Sequence, residues 1–78
     1  MIANKDIFLA IFPLSEQEII ELDPDSLLDD TAWDSMAKVM LISEMSEMHN
    51  VVVEADALDT LQTFKDLDEF ISSLTGDN

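Results

Sequence analysis

A small all-α bundle is predicted by three features of the sequence. Apolar residues recur at helical spacing in separate segments, helix-starting residues stand at the heads of those segments, and no two runs read as paired strands. The expected architecture is an irregular four-helix bundle, three main helices and one short one, with a long loop between the first main helix and the second. The chain has 78 residues, one glycine and two prolines, with no glycine-rich linker, low-complexity tract or internal repeat, so residues 1–78 read as a single domain.

The first helix is expected from about Ala3 to Phe12, a short buried helix carrying the apolar run Ile7, Phe8, Leu9, Ala10, Ile11 and Phe12, and Pro13 stops it by disfavouring helical geometry at the residue before it. From Pro13 to Asp34 no period is sustained. Ser15 and Glu18 have capping-box spacing and would open a turn carrying Ile19, Ile20 and Leu22. A connection this long needs anchors, and Leu14, Ile19, Ile20, Leu22, Leu27 and Leu28 are expected to pin it to the core. The central helix should run from Ser35 to Met48, capped by Asp34, with Ala37, Leu41, Ile42, Met45 and Met48 on one stripe at about 100° per residue. Asn50 should stop it, and the β-branched run Val51, Val52, Val53 should be an extended connector. A short helix from Ala55 to Leu61, capped by Asp56, leads to a capping box of Thr63 and Asp66. The last helix then buries Phe64, Leu67, Phe70, Ile71 and Leu74, and Gly76 lies just past its end.

Charge narrows the function. Eighteen acidic residues against three basic ones give a formal charge of −15, which opposes phosphate backbones and anionic lipid. Neither nucleic acid nor a membrane is an expected partner. Disorder does not follow from this acidity, since 47% of the residues are hydrophobic. The longest apolar run, Ile7 to Pro13, is too short to span a bilayer and lacks the basic start and small-residue cleavage pattern of a signal peptide, so a cytoplasmic location is expected; a monomer is the separate expectation for its assembly. The absence of cysteine removes disulfides, thiolate metal ligands and a thiol nucleophile.

The stretch that carries chemistry is Trp33-Asp34-Ser35-Met36, followed at once by the long amphipathic helix. It resembles the attachment site of acyl carrier proteins, in which Asp-Ser is followed by Leu or a Met-like residue. The likeness extends over the long loop, the valine-rich connector and the final Thr63 to Ile71 helix. The resemblance implies a discrete acyl, aminoacyl or peptidyl carrier of the Trp-Asp-Ser kind. It further implies that 4'-phosphopantetheine from coenzyme A is attached covalently to Ser35 by a magnesium-dependent phosphopantetheinyl transferase. Partners follow from it too: an acyl- or aminoacyl-activating enzyme and a downstream synthase or transferase. One departure is Ala32, where fatty-acid carriers usually have glycine, and it points away from primary fatty-acid synthesis.

Chemistry independent of the resemblance supports the same serine. A hydroxyl in the first turn of a helix is accessible, and the amides and dipole there favour an attached phosphodiester anion. Asp25-Ser26-Leu27 matches the short motif more literally, but Leu28-Asp29-Asp30-Thr31 opens no sustained amphipathic helix, so Ser35 is preferred over Ser26. Met36, Met40, Ser43 and Glu47 line the edge of the helix away from the core stripe. With Asp34 and Glu44 they are the candidate partner contacts, the methionines adapting to an apolar surface and the acids attracting basic residues. Trp33 is read as packing the loop onto the bundle, Lys38 as pairing with a nearby carboxylate, and His49 as structural.

Two other readings fit parts of the chain. Asp23, Asp25, Asp29, Thr31 and Asp34 occupy the first, third, seventh, ninth and twelfth places of a calcium loop, but Leu27 and Leu28 replace the fifth ligand and the turn glycine. An acidic helical adaptor that binds a basic protein without any cofactor would use the same fold. An enzyme is disfavoured, because the scattered acids and single histidine define no nucleophile, base and oxyanion arrangement.

Overall fold

The computed structural model describes residues 2–30 and 33–76, with the side chain of Asp30 left aside. Five α-helices follow one another: α1 (Lys5–Ile11), α2 (Glu16–Ile20), α3 (Ser35–His49), α4 (Ala55–Leu58) and α5 (Phe64–Thr75), with a 3₁₀ turn at Leu28–Asp30. The all-α bundle is as expected, with no strand among the described residues and a single bridge between Leu27 and Thr63. The helix count differs because the long connection holds an element of its own.

That element is α2. Ser15 Oγ accepts from the Glu18 amide at 3.2 Å while Glu18 Oε1 accepts from the Ser15 amide at 3.0 Å, so the capping box is complete. A five-residue helix cannot persist by propensity alone, and Ile19, which has no solvent exposure, fastens this one to the core. Ile20 and Leu27 do not act as the anchors expected of them, being 54% and 50% exposed. The later part of the loop is held through its backbone instead: the Phe64 amide donates to Ser26 O, the Lys65 amide to Pro24 O, and the Leu28 amide to Gln62 O. These bonds tie the loop to the start of α5, and Leu28 is buried beside them.

α1 begins later than the apolar pattern implies, because Ala3 and Asn4 are recruited elsewhere. Their amides donate to the Asp68 carboxylate of α5 at 3.0 and 2.9 Å. At its other end Phe12 is extended, with φ −115° and ψ 146°, the geometry required of a residue before proline. α3 ends at Asn50 in the left-handed region, φ 55°, which asparagine tolerates better than most residues. α4 is shorter than predicted, stopping at Leu58. Its cap position is Glu54, without a side-chain bond, and Asp56 lies inside the first turn. The Thr63–Asp66 box forms as predicted, with Asp66 Oδ2 also accepting from the Gln62 amide, and Gly76 closes α5 at φ 80°.

The interior is organised around Phe12, whose ring lies 5.5 Å from Phe8, 5.6 Å from Phe64 and 6.0 Å from Trp33. α1 lies against α2 and α3, and α3 against α4. Leu41 and Met45 from α3, Leu58 from α4, and Leu67 and Ile71 from α5 complete the core with no exposure. Each such side chain contributes roughly 1.5–3 kcal/mol of burial, which fixes the direction in which α3 presents its other face. On that helix Ala37, Leu41 and Met45 face inward as predicted and Ile42 is half-buried. Met48, expected on the buried stripe, is 50% exposed, because it borders an open cleft between the last turn of α3 and the start of α1.

Candidate functional site

Ser35 is the first residue of α3, the longest helix. Asp34 directly before it is extended, and its Oδ1 accepts from the Ala37 amide at 2.9 Å, so the predicted cap is present. The first backbone bond inside the helix runs from the Lys38 amide to Asp34 O at 3.1 Å. The amides of Ser35 and Met36 come before it and remain at the positive end of the helix. The Ser35 side chain is exposed, and its hydroxyl has no hydrogen-bond partner among the described residues. A phosphodiester on this oxygen therefore meets open space, two amides and a favourable dipole, which is the fit such a group requires.

Ser26 differs on each count. It is half-buried, its amide donates to Asp23 O at 3.0 Å, its carbonyl accepts from Phe64, and only a 3₁₀ turn follows it. Its backbone is part of the loop's attachment to α5.

Trp33, directly before the cap, is 7% exposed and packs on Phe12, the packing role the sequence indicated. Lys38 reaches back over it, with Nζ 5.7 Å from the ring centroid and 3.3 Å from Asp59 Oδ1 just past α4. This is the predicted surface pair. Asp59 is 67% exposed, so the pair contributes no more than about 1 kcal/mol. An open cleft of about 460 Å³ lies beside it, walled by Trp33, Leu58 and Leu61 and rimmed by Asp29, Asp59 and Gln62.

The candidate partner contacts share the outer edge of α3. Met36 is 66% exposed and Met40 37%, Ser43 and Glu47 are also exposed, and Glu44 is half-buried. Asp34 stands exposed at the head of this edge, with Oδ1 holding the cap. Val39, at 60% exposure, belongs to the same surface and was missed. Its spacing from Met36 and Ser43 was the available signal, since residues three and four apart share a helix face.

The calcium-loop acids do not assemble: Asp23 Oδ1 accepts from the Asp25 amide, and among the described residues no three acids or histidines converge on one point. Thr31 of that reading, and Ala32, the departure from the carrier resemblance, lie outside the described residues. His49 is exposed at the far end of α3, about 20 Å along the helix from Ser35. Among the described residues no helix is long and apolar enough to cross a membrane. No family model matches the chain, and no solved structure matches it.

Proposed function

We propose that the protein is a carrier of acyl or aminoacyl groups, held as thioesters on a phosphopantetheine arm attached to Ser35 and passed between partner enzymes. One observation carries this reading. Ser35 offers an exposed, unpartnered hydroxyl at the first position of a long, capped helix, within the sequence Trp33-Asp34-Ser35-Met36 that resembles the carrier attachment site. When bound, the arm supplies a terminal thiol for thioester formation, in a chain that has no cysteine of its own.

The chain's own residues have limited tasks in this scheme. Asp34 holds the first turn in place, and the Ser35 and Met36 amides, at the positive end of the helix, would favour the negative charge of an attached phosphate. Ser35 Oγ would form the new bond to the phosphorus on the pantetheine side of coenzyme A as the bridging P–O bond of the pyrophosphate breaks, with adenosine 3',5'-bisphosphate leaving. Asp34 is committed to its cap and Lys38 is paired with Asp59, so the base that takes the serine proton comes from the transferase. Met36, Val39 and Met40, with Asp34 before them and Glu44 and Glu47 after them, suit a partner with an apolar and basic surface.

That apolar edge equally suits an acidic adaptor that never receives an arm, and modification of Ser35 separates the two. Incubation with coenzyme A, magnesium and a broadly specific phosphopantetheinyl transferase should raise the intact mass by one arm, and peptide mapping should locate it at Ser35. Ser35→Ala should stay folded and lose the increase, and Ser26→Ala should retain it. Modification at Ser26, or none with several competent transferases, would remove the carrier reading and leave the adaptor.

A further inference from the structure

We infer that Lys38 is a charge-sensing switch: with Ser35 free it is held by Asp59 and lies over Trp33, and with an anion on Ser35 it turns to that anion and releases Asp59. The inference rests on the carrier reading only for the identity of the anion.

Placement is the first support. Ser35 and Lys38 are three apart on α3, so their Cβ atoms lie about 5–6 Å from each other. Helical side chains lean toward the N-terminus, which aims Lys38 at the turn that holds Ser35. Its observed position agrees, since Nζ lies 5.7 Å from the ring of Trp33, a residue that precedes the helix. Scarcity is the second support. The chain has three basic residues, Lys5 in α1, Lys38, and Lys65 in α5, so Lys38 is the cation that α3 itself brings to the serine. The third is the weakness of the present partner. Asp59 is 67% exposed and meets Lys38 through one oxygen at 3.3 Å, a pair that solvent already screens. A phosphodiester one helical turn away, at the positive end of α3, is a competing acceptor of equal charge and lies in the direction the side chain already leans.

The consequence is mechanical. Asp59 directly follows α4, and Lys38 links it to α3, so turning Lys38 away cuts the polar link between the two helices at the rim of the cleft. Loading would then alter the surface shown to the next partner, letting an enzyme distinguish the loaded carrier from the free one.

Trp33, the single tryptophan, reports the movement directly. Emission of the full chain and the amide resonance of Asp59 are recorded before and after loading, with intact mass as the measure of loading, in wild type and Lys38→Met. A wild-type change in Trp33 emission and in the Asp59 resonance, lost in Lys38→Met loaded to the same mass, is the expected result. Equal changes in both proteins, or none in wild type, would overturn the switch while leaving the carrier function intact. Should no mass be gained with competent transferases, the carrier reading fails and the switch is decided by Ser35→Glu, which places a fixed anion at the same position. Ser35→Glu should shift Trp33 emission in a manner abolished by adding Lys38→Met, and a shift independent of Lys38 would reject the proposal.

Discussion

Asp68 is a charged side chain that the fold buries, at 8% exposure, and its oxygens are fully engaged. Oδ2 accepts from the Ala3 amide, while Oδ1 accepts from the Asn4 amide and from Asn4 Nδ2 at 2.7 Å; the same Nδ2 also reaches Asp68 O and Ser72 Oγ. This cluster joins residues more than sixty positions apart and brings Ile2 down onto the core. Asp68→Ala should therefore cost about 2–4 kcal/mol, because it strands several donors that bond to a charged group. It also removes one negative charge from a −15 chain, which by itself relieves repulsion, so a net loss in urea unfolding would assign the effect to the hydrogen bonds. A cost under about 0.5 kcal/mol would mean that the N-terminal segment contributes little. The sequence held a signal for this residue. Asp68 is four after Phe64 and three before Ile71, hence on the apolar stripe of α5, where a charge needs a partner. Its partner was not legible, since an asparagine sixty-four residues away carries no periodic mark.

At the scale of elements, local chemistry was the most readable part of the chain. Asp34, the Ser15–Glu18 and Thr63–Asp66 boxes, Asn50 and Gly76 all stand where their backbone roles require, because capping depends on neighbours within a few residues. Thr63→Ala should cost about 1 kcal/mol, since it opens the box heading α5, where the loop is also attached through the Phe64 and Lys65 amides. A Thr63→Ser variant in denaturant unfolding should recover most of that loss. Less readable were Ile20, Leu27 and Met48, apolar residues left outside because burial depends on which element lies opposite, and the period of one segment does not contain that information. α3 makes the point on both faces. Ala37, Leu41 and Met45 are covered by other elements of the bundle, and Met36, Val39 and Met40 are left to solvent. Met40→Glu should slow loading or transfer about tenfold by putting an anion into that apolar edge, a change of roughly 1.4 kcal/mol. Helicity by circular dichroism should barely change, since a new like-charge neighbour of Glu44 one turn away costs only ~0.2–0.5 kcal/mol. Unchanged kinetics with genuine partners would exclude Met40 from recognition.

For the whole molecule, size and charge act together. The described residues extend 28 × 23 × 19 Å, while the Debye length is about 30 Å at ~0.01 M salt and about 10 Å at ~0.1 M. At low salt, therefore, every exposed carboxylate repels acids on the opposite face, and at moderate salt it feels only its neighbours. A chain of −15 with a core this small should lose a sizeable part of its stability to that repulsion. Raising sodium chloride from ~0.01 to ~0.2 M should lift the unfolding midpoint by several degrees, given that 1 kcal/mol corresponds to about 4–8 °C in a domain of this length. Magnesium or calcium at millimolar levels should do more, because a divalent ion neutralises adjacent carboxylates locally. The acids of the loop from Asp23 to Asp34 and along α3 present many weak places for such ions. No three acids or histidines among the described residues gather into one selective site, so magnesium and calcium should act alike and in a graded way. Thermal unfolding across sodium, magnesium and calcium concentrations reads this out. A saturating step at one equivalent of calcium, absent with magnesium, would restore the calcium-loop reading of Asp23 to Asp34, and a midpoint indifferent to all three salts would show that the acids repel one another far less than their number implies.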